Sequence, residues 1–99
     1  MMTQEKETHP GQVIWQQIPV MTKMACGARK AVLTETGVRF QVGGKPMRYI
    51  EVTLDAANDT YNVRHFRVKR NDYSQIDLET LTGVYADMLG EVCYRAVNK

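Results

Sequence analysis

Apolar residues at Val13, Ile14, Ile18, Met21, Met24, Ala25 and Ala28 recur at intervals of three and four, which predicts one helical face early in the chain. Pro19 interrupts it. Proline removes a helical N–H and clashes with the preceding turn, so either two short helices meet there or Pro19 opens the second. Gly27 lies where that helix stops. An extended Val20 to Ala25 is the alternative, since Val20, Thr22 and Cys26 tolerate a strand; the helix is preferred.

The pattern then changes to a period of two. Val38, Phe40 and Val42 alternate with Arg39 and Gln41, and Gly43-Gly44-Lys45-Pro46 supplies a turn into Tyr49–Leu54, where Ile50, Val52 and Leu54 share a face. Asp55-Ala56-Ala57-Asn58-Asp59 reads as a second turn, leading into a third strand. In that strand Tyr61 and Val63 occupy one parity and Phe66 and Val68 the other. A bulge near Arg64 and His65 is expected to turn the later side chains over. Leu78, Leu81, Val84, Tyr85, Met88, Leu89, Val92 and Ala96 return to helical spacing and predict a long C-terminal helix, capped at Thr80 or Thr82. The expected fold is therefore α+β. An N-terminal helix broken at Pro19, a three-stranded antiparallel sheet and a C-terminal helix follow in order, with the helices on one sheet face.

Composition narrows the class. With 99 residues, 43% of them hydrophobic and 24% charged, one domain is expected over residues 10–99, preceded by a flexible polar tail at 1–9. A domain of this size buries roughly 60–70% of its unfolded surface, so homodimerisation would be a natural supplement. No long apolar run or leader-like segment is present, and a cytoplasmic protein without membrane contact is expected. Cys26 and Cys93 sit in apolar surroundings without closely spaced partners. They read as buried free thiols rather than metal ligands or a catalytic pair with His65. No metal or other cofactor is expected, and no constellation names a reaction, so an enzyme is the least supported class.

Charge is informative through its clustering, because the net formal charge is only +2. From Thr60 to Arg70 the third strand carries Arg64, Arg67, Lys69 and Arg70 with no acid, and Arg48 and Arg39 extend the set across the sheet. Tyr49, Tyr61 and Tyr73 are nearby aromatics. The candidate partner-binding residues are Arg48, Tyr61, Arg64, Arg67, Lys69 and Arg70. Basic side chains interleaved with aromatics suit direct nucleic-acid binding or an acidic protein surface, while a solvated edge that discourages aggregation is the bland reading. Met21, Met24 and Met88 coincide with helical faces and are expected to fill the core; Trp15 is expected to anchor the first helix to the sheet.

Five segments carry a resemblance. They are Ile14-Trp15-Gln16-Gln17-Ile18, Met24-Ala25-Cys26-Gly27-Ala28-Arg29-Lys30, Val38-Arg39-Phe40, Asp59-Thr60-Tyr61-Asn62-Val63 and Gly83-Val84-Tyr85-Ala86-Asp87-Met88-Leu89. Together, over most of Val13 to Tyr94, the chain resembles a family of small proteins encoded on bacteriophages, prophages and other mobile elements. The last two segments are the most specific. The chain departs from the family before His9 and after Tyr94, and no catalytic residues are carried over. The resemblance implies a host cell as the setting and a host protein complex as the partner. An anti-CRISPR protein that binds a Cas effector stoichiometrically, blocking target DNA recognition or nuclease recruitment, leads. A small nucleic-acid-binding accessory protein is the alternative.

Overall fold

Two prolines open the first two helices of the computed structural model, which describes residues 9–43 and 47–97. Helix α1 runs Pro10–Gln17, with Pro10 in the first turn, where its missing N–H costs nothing. His9, expected in the tail, instead caps this helix, its Nδ1 accepting from the Gly11 N–H at 2.9 Å. The remainder of the expected tail, residues 1–8, lies outside the described residues. Helix α2 runs Val20–Cys26 with Pro19 as its N-cap, so two short helices do meet at Pro19. Gly27 ends it in a left-handed conformation (φ 67°), and the Ala28 N–H reaches back to the Lys23 carbonyl at 2.9 Å.

Five antiparallel strands follow in a meander ordered β1-β2-β3-β4-β5: Arg29–Leu33, Gly37–Gln41, Arg48–Asp55, Thr60–Val68 and Gln75–Val84. The α+β class is as expected; the count of three strands is corrected to five. Strand β1 was hidden because its five residues are all exposed at the sheet edge and show no alternation. Between β3 and β4 the Asp55–Asp59 turn forms as expected, with Asn58 Nδ2 donating to Asp55 Oδ2 at 3.0 Å and Asp59 at φ 55°. Of the expected Gly43–Pro46 turn, residues 44–46 lie outside the described residues.

Strand β5 replaces the first half of the expected C-terminal helix, and the reason lies in its register. His65 pairs with Glu79 but Phe66 with Asp77, while Val63 pairs with Leu81 and Tyr61 with Val84. At each step β5 contributes one residue more than β4, which defines two bulges. They stretch the spacing of same-face residues from two to three, giving Ile76, Glu79, Leu81 and Val84. A bulged strand thus imitates helical periodicity. The helix proper, α3, is confined to Leu89–Val97 after a single 3-10 turn at Ala86–Met88, and neither Thr80 nor Thr82 caps it.

The same register removes the bulge expected in β4. Every residue of β4 from Thr60 to Arg67 pairs in unbroken succession with β3, so its alternation is intact and the side chains do not turn over. Val63 and His65 face the helices, whereas Arg64 and Phe66 face away. On the helix side Val38 and Phe40 stand opposite Val52 and Ile50 and pack with Ile14, Ile18, Cys26, Leu89, Cys93 and Ala96 into one core. All three helices contribute to this core, so they lie on one sheet face. Trp15 anchors α1 as expected, its ring 5.1 Å from Phe40 and overlain by the Lys23 ammonium at 4.1 Å. The methionine expectation fails: Met21 and Met24 are 76% and 71% exposed, and Met88 is exposed too. Cys26 takes the inward position of α2 instead.

Candidate functional site at the basic end of the sheet

The six residues singled out from the sequence do not form one patch. Alternation along β4 divides Arg64 from Arg67 by face, and the strand's length divides Tyr61 from both. Tyr61 packs on the core at the far end, its hydroxyl donating to Gln17 Oε1 at 2.8 Å. Its role is to tie β4 to the end of α1.

Arg64 stands on the helix-free face and is already matched. Nη1 donates to Glu51 Oε1 at 3.0 Å and Nε to Asp77 Oδ1 at 2.7 Å; Nη2 donates to Gln75 Oε1, and the guanidinium lies 4.2 Å over the Phe66 ring. Two carboxylates cancel its charge. Phe66 beneath it is only 1% exposed and stacks on Tyr49 at 5.5 Å. Phe66 is therefore covered and offers no bare ring on which bases would stack.

The other four residues do converge. Arg48 and Arg67 pair directly across β3 and β4, and the chain runs from Arg67 into the β4–β5 hairpin that carries Lys69 and Arg70. Like charges opposite one another in a sheet are destabilising. Among the described residues no acid forms an ion pair with Arg48 or Arg67. The hairpin is closed by its own backbone: the Lys69 N–H donates to the Ser74 carbonyl and the Tyr73 N–H to the Lys69 carbonyl, each at 2.8 Å. Asp72 accepts from the Ser74 N–H at 3.1 Å and from its hydroxyl at 2.9 Å, and these bonds hold the Asp72 carboxyl below its usual pKa.

Tyr73 is the residue that sequence inspection named only as a neighbour. It is 72% exposed with φ 61°, a backbone conformation uncommon for a side chain of this size. The tip thus displays a tyrosine beside arginine and lysine, two of the residue types that dominate binding hot spots among them. A sequence signal existed in the run Lys69-Arg70-Asn71-Asp72-Tyr73-Ser74, where Asn and Asp mark a turn before an aromatic.

Near this end His65 is buried, 4% exposed, with no hydrogen-bond partner for Nε2. It lines a cavity of about 160 Å³ together with Arg48, Leu78, Glu79, Ala96 and Val97. Burial and then the Arg48 charge lower its pKa, against the opposing pull of Glu79. Cys26 and Cys93 are free and buried; burial and then Cys26 push the Cys93 thiol up to about 12, which leaves it protonated and poorly nucleophilic. Among the described residues no group of three or more His, Cys, Asp or Glu is arranged to hold a metal, and no helix is long and apolar enough to cross a membrane.

No family model, curated protein or solved structure matches this chain.

Proposed function

We propose that this chain is a non-enzymatic binding protein that engages a host complex through the basic hairpin end, with Arg48, Arg67, Lys69, Arg70 and Tyr73 as the contact set. The observation that carries this reading is the cross-strand Arg48–Arg67 pair, exposed at Arg67, continuing into a closed, tyrosine-bearing hairpin. An anionic partner would relieve the repulsion between the two guanidinium groups and desolvate Tyr73 at the same time. Arg64 and Tyr61 leave the contact set, since their polar groups are engaged within the protein.

The mobile-element resemblance of the sequence directs the proposal to a bacterial defence complex, a Cas effector bound stoichiometrically in the manner of an anti-CRISPR protein. Direct nucleic-acid binding is the second reading, supported by the exposed tyrosine among cations. Salt separates the two. Four phosphate contacts give a log–log salt slope of about −3, whereas a mixed protein interface responds less.

Affinity capture from a nuclease-treated lysate of a CRISPR-bearing host, followed by mass spectrometry, tests the proposal. The expected result is a Cas complex in stoichiometric amount, lost with the R67E/R70E variant and retained with a Tyr61→Phe variant. Capture of nucleic acid without nuclease, and of no protein complex with it, would transfer the function to the second reading.

A further inference from the structure

The helix-free face of the sheet, opposite to the side that bears Arg48 and Arg67, holds a second feature. Arg39, Tyr49, Phe66, Val68 and Gln75 line a cleft of about 190 Å³. They come from four successive strands, β2 to β5. Neighbouring strands are about 4.8 Å apart, so in a flat sheet the outer two would stand about 14 Å from each other. Arg39 and Gln75 both have long side chains that can reach inward over the two strands between them, and bulges occur in β1 and β5 at the two edges.

Arg39 is the uncommitted charge of this cleft. Glu51 stands opposite it across β2 and β3, but the Glu51 carboxylate is taken by Arg64 at 3.0 Å. Among the described residues no hydrogen bond, ion pair or ring contact engages the half-buried Arg39. The remaining polar groups also offer donors. Gln75 Oε1 accepts from Arg64, which leaves its amide N–H groups, and the Tyr49 hydroxyl can donate. The apolar walls are Val68 and the stacked Tyr49–Phe66 pair, 19° from parallel.

We propose that this cleft binds a small flat monoanion, an aromatic carboxylate, with the carboxylate on Arg39 and the ring against Tyr49 and Val68. A planar guanidinium suits a carboxylate in bidentate geometry. Arg39 and Arg64 against Glu51 and Asp77 sum to zero, so every negative charge beyond the one that Arg39 holds adds repulsion, and a phosphate dianion is disfavoured. The cleft is smaller than the roughly 300 Å³ at which drug-sized pockets begin, which limits the ligand to about one ring.

The site stands independently of the hairpin reading, and its test is chosen accordingly. In an amide-resolved NMR titration, benzoate shifts the signals of Arg39, Tyr49, Val68 and Gln75 and saturates in the millimolar range. Benzamide, the same shape without the charge, binds at least tenfold more weakly. Arg39→Gln weakens benzoate at least tenfold with the folded spectrum kept, and Arg70→Glu leaves it unchanged. Equal binding of benzamide, retention of benzoate by Arg39→Gln, or tighter binding of adenosine monophosphate than benzoate would overturn the assignment.

Discussion

Single side chains in this protein show how one position parity decides between structure and surface. Arg64 and Arg67 belong to the same basic run, yet the first closes a network with Glu51, Asp77 and Gln75 while the second forms no ion pair among the described residues. Arg64→Gln should therefore lower stability by about 1–3 kcal/mol, the range for charged hydrogen bonds lost with a partner left partly buried. Arg64→Glu should cost more, because it sets a third acid beside Glu51 and Asp77. Urea midpoints of the three proteins check both statements. Had Arg64 been a free surface cation, its removal would change stability by less than about 0.5 kcal/mol.

His65 gives the pH prediction at the same scale. Its folded pKa lies below the ordinary value of 6.5, so the unfolded chain binds a proton more readily than the native protein. Its contribution to stability is complete above the unfolded pKa and is lost as pH falls from about 6.5 toward the lower folded value. The charged groups facing it are Arg48 and Glu79, from the two strands beside it. His65→Leu removes both the titration and the unpartnered Nε2, so its unfolding midpoint should fall less between pH 7 and pH 5 than that of the parent. An identical fall in both proteins would assign that pH response to other groups.

At the scale of elements, two glycines mark close backbone approaches, α1 on β2 and β2 on β3. A Cβ on Gly11 would run into the Gly37 carbonyl oxygen, and one on Gly37 into the Val52 carbonyl oxygen. Backbone cannot yield as a side-chain tip can, so Gly11 lets the helix settle directly on β2 and Gly37 lets β2 lie close against β3. Gly37→Ala is expected to cost about 1–3 kcal/mol or more through overpacking, read as a lower melting temperature. Gly83→Ala provides a contrasting case. Nothing lies within 4 Å of its Cβ position, and only the left-handed backbone (φ 67°) penalises the alanine, by about 1–2 kcal/mol.

Elements were also where sequence patterning was both most and least informative. The helix break at Pro19, the Gly27 stop and the strands around Phe40 and Ile50 could be read directly, since each depends on local backbone geometry or unbroken alternation. Strand β5 could not. Its bulges give Ile76, Glu79, Leu81 and Val84 an intermediate spacing that only pairing with β4 explains. The candidate site was legible in part: Arg48, Arg67, Lys69 and Arg70 were identified, but residue type alone could not separate Arg64 from them.

For the whole molecule the net charge of +2 conceals an asymmetry. Arg29, Lys30, Arg48, Arg67, Lys69 and Arg70 gather where β2 ends and β3 begins, with Asp72 and Asp77 beside them. Glu35, Asp55, Asp59 and Asp87 lie at the opposite strand ends, with no Lys or Arg in the turns there. Such a distribution orients the protein in the field of an anionic partner before contact. The R67E/R70E variant proposed for the capture experiment should accordingly keep or slightly raise its melting temperature, since both residues are exposed and the acid at position 67 would face Arg48, while losing the complex.

The sequence by itself determined the helix boundaries at Pro19 and Gly27, the alternating core of β2 and β3, the Asp55–Asp59 turn and the basic run, because these are properties of neighbouring residues. Only the tertiary structure decided which cations are neutralised, that β5 is a strand and that Met21 and Met24 face outward. Those outcomes depend on which groups meet across strands distant in sequence. Glu51 and Asp77, each thirteen residues from Arg64, meet it only because β3 and β5 flank β4.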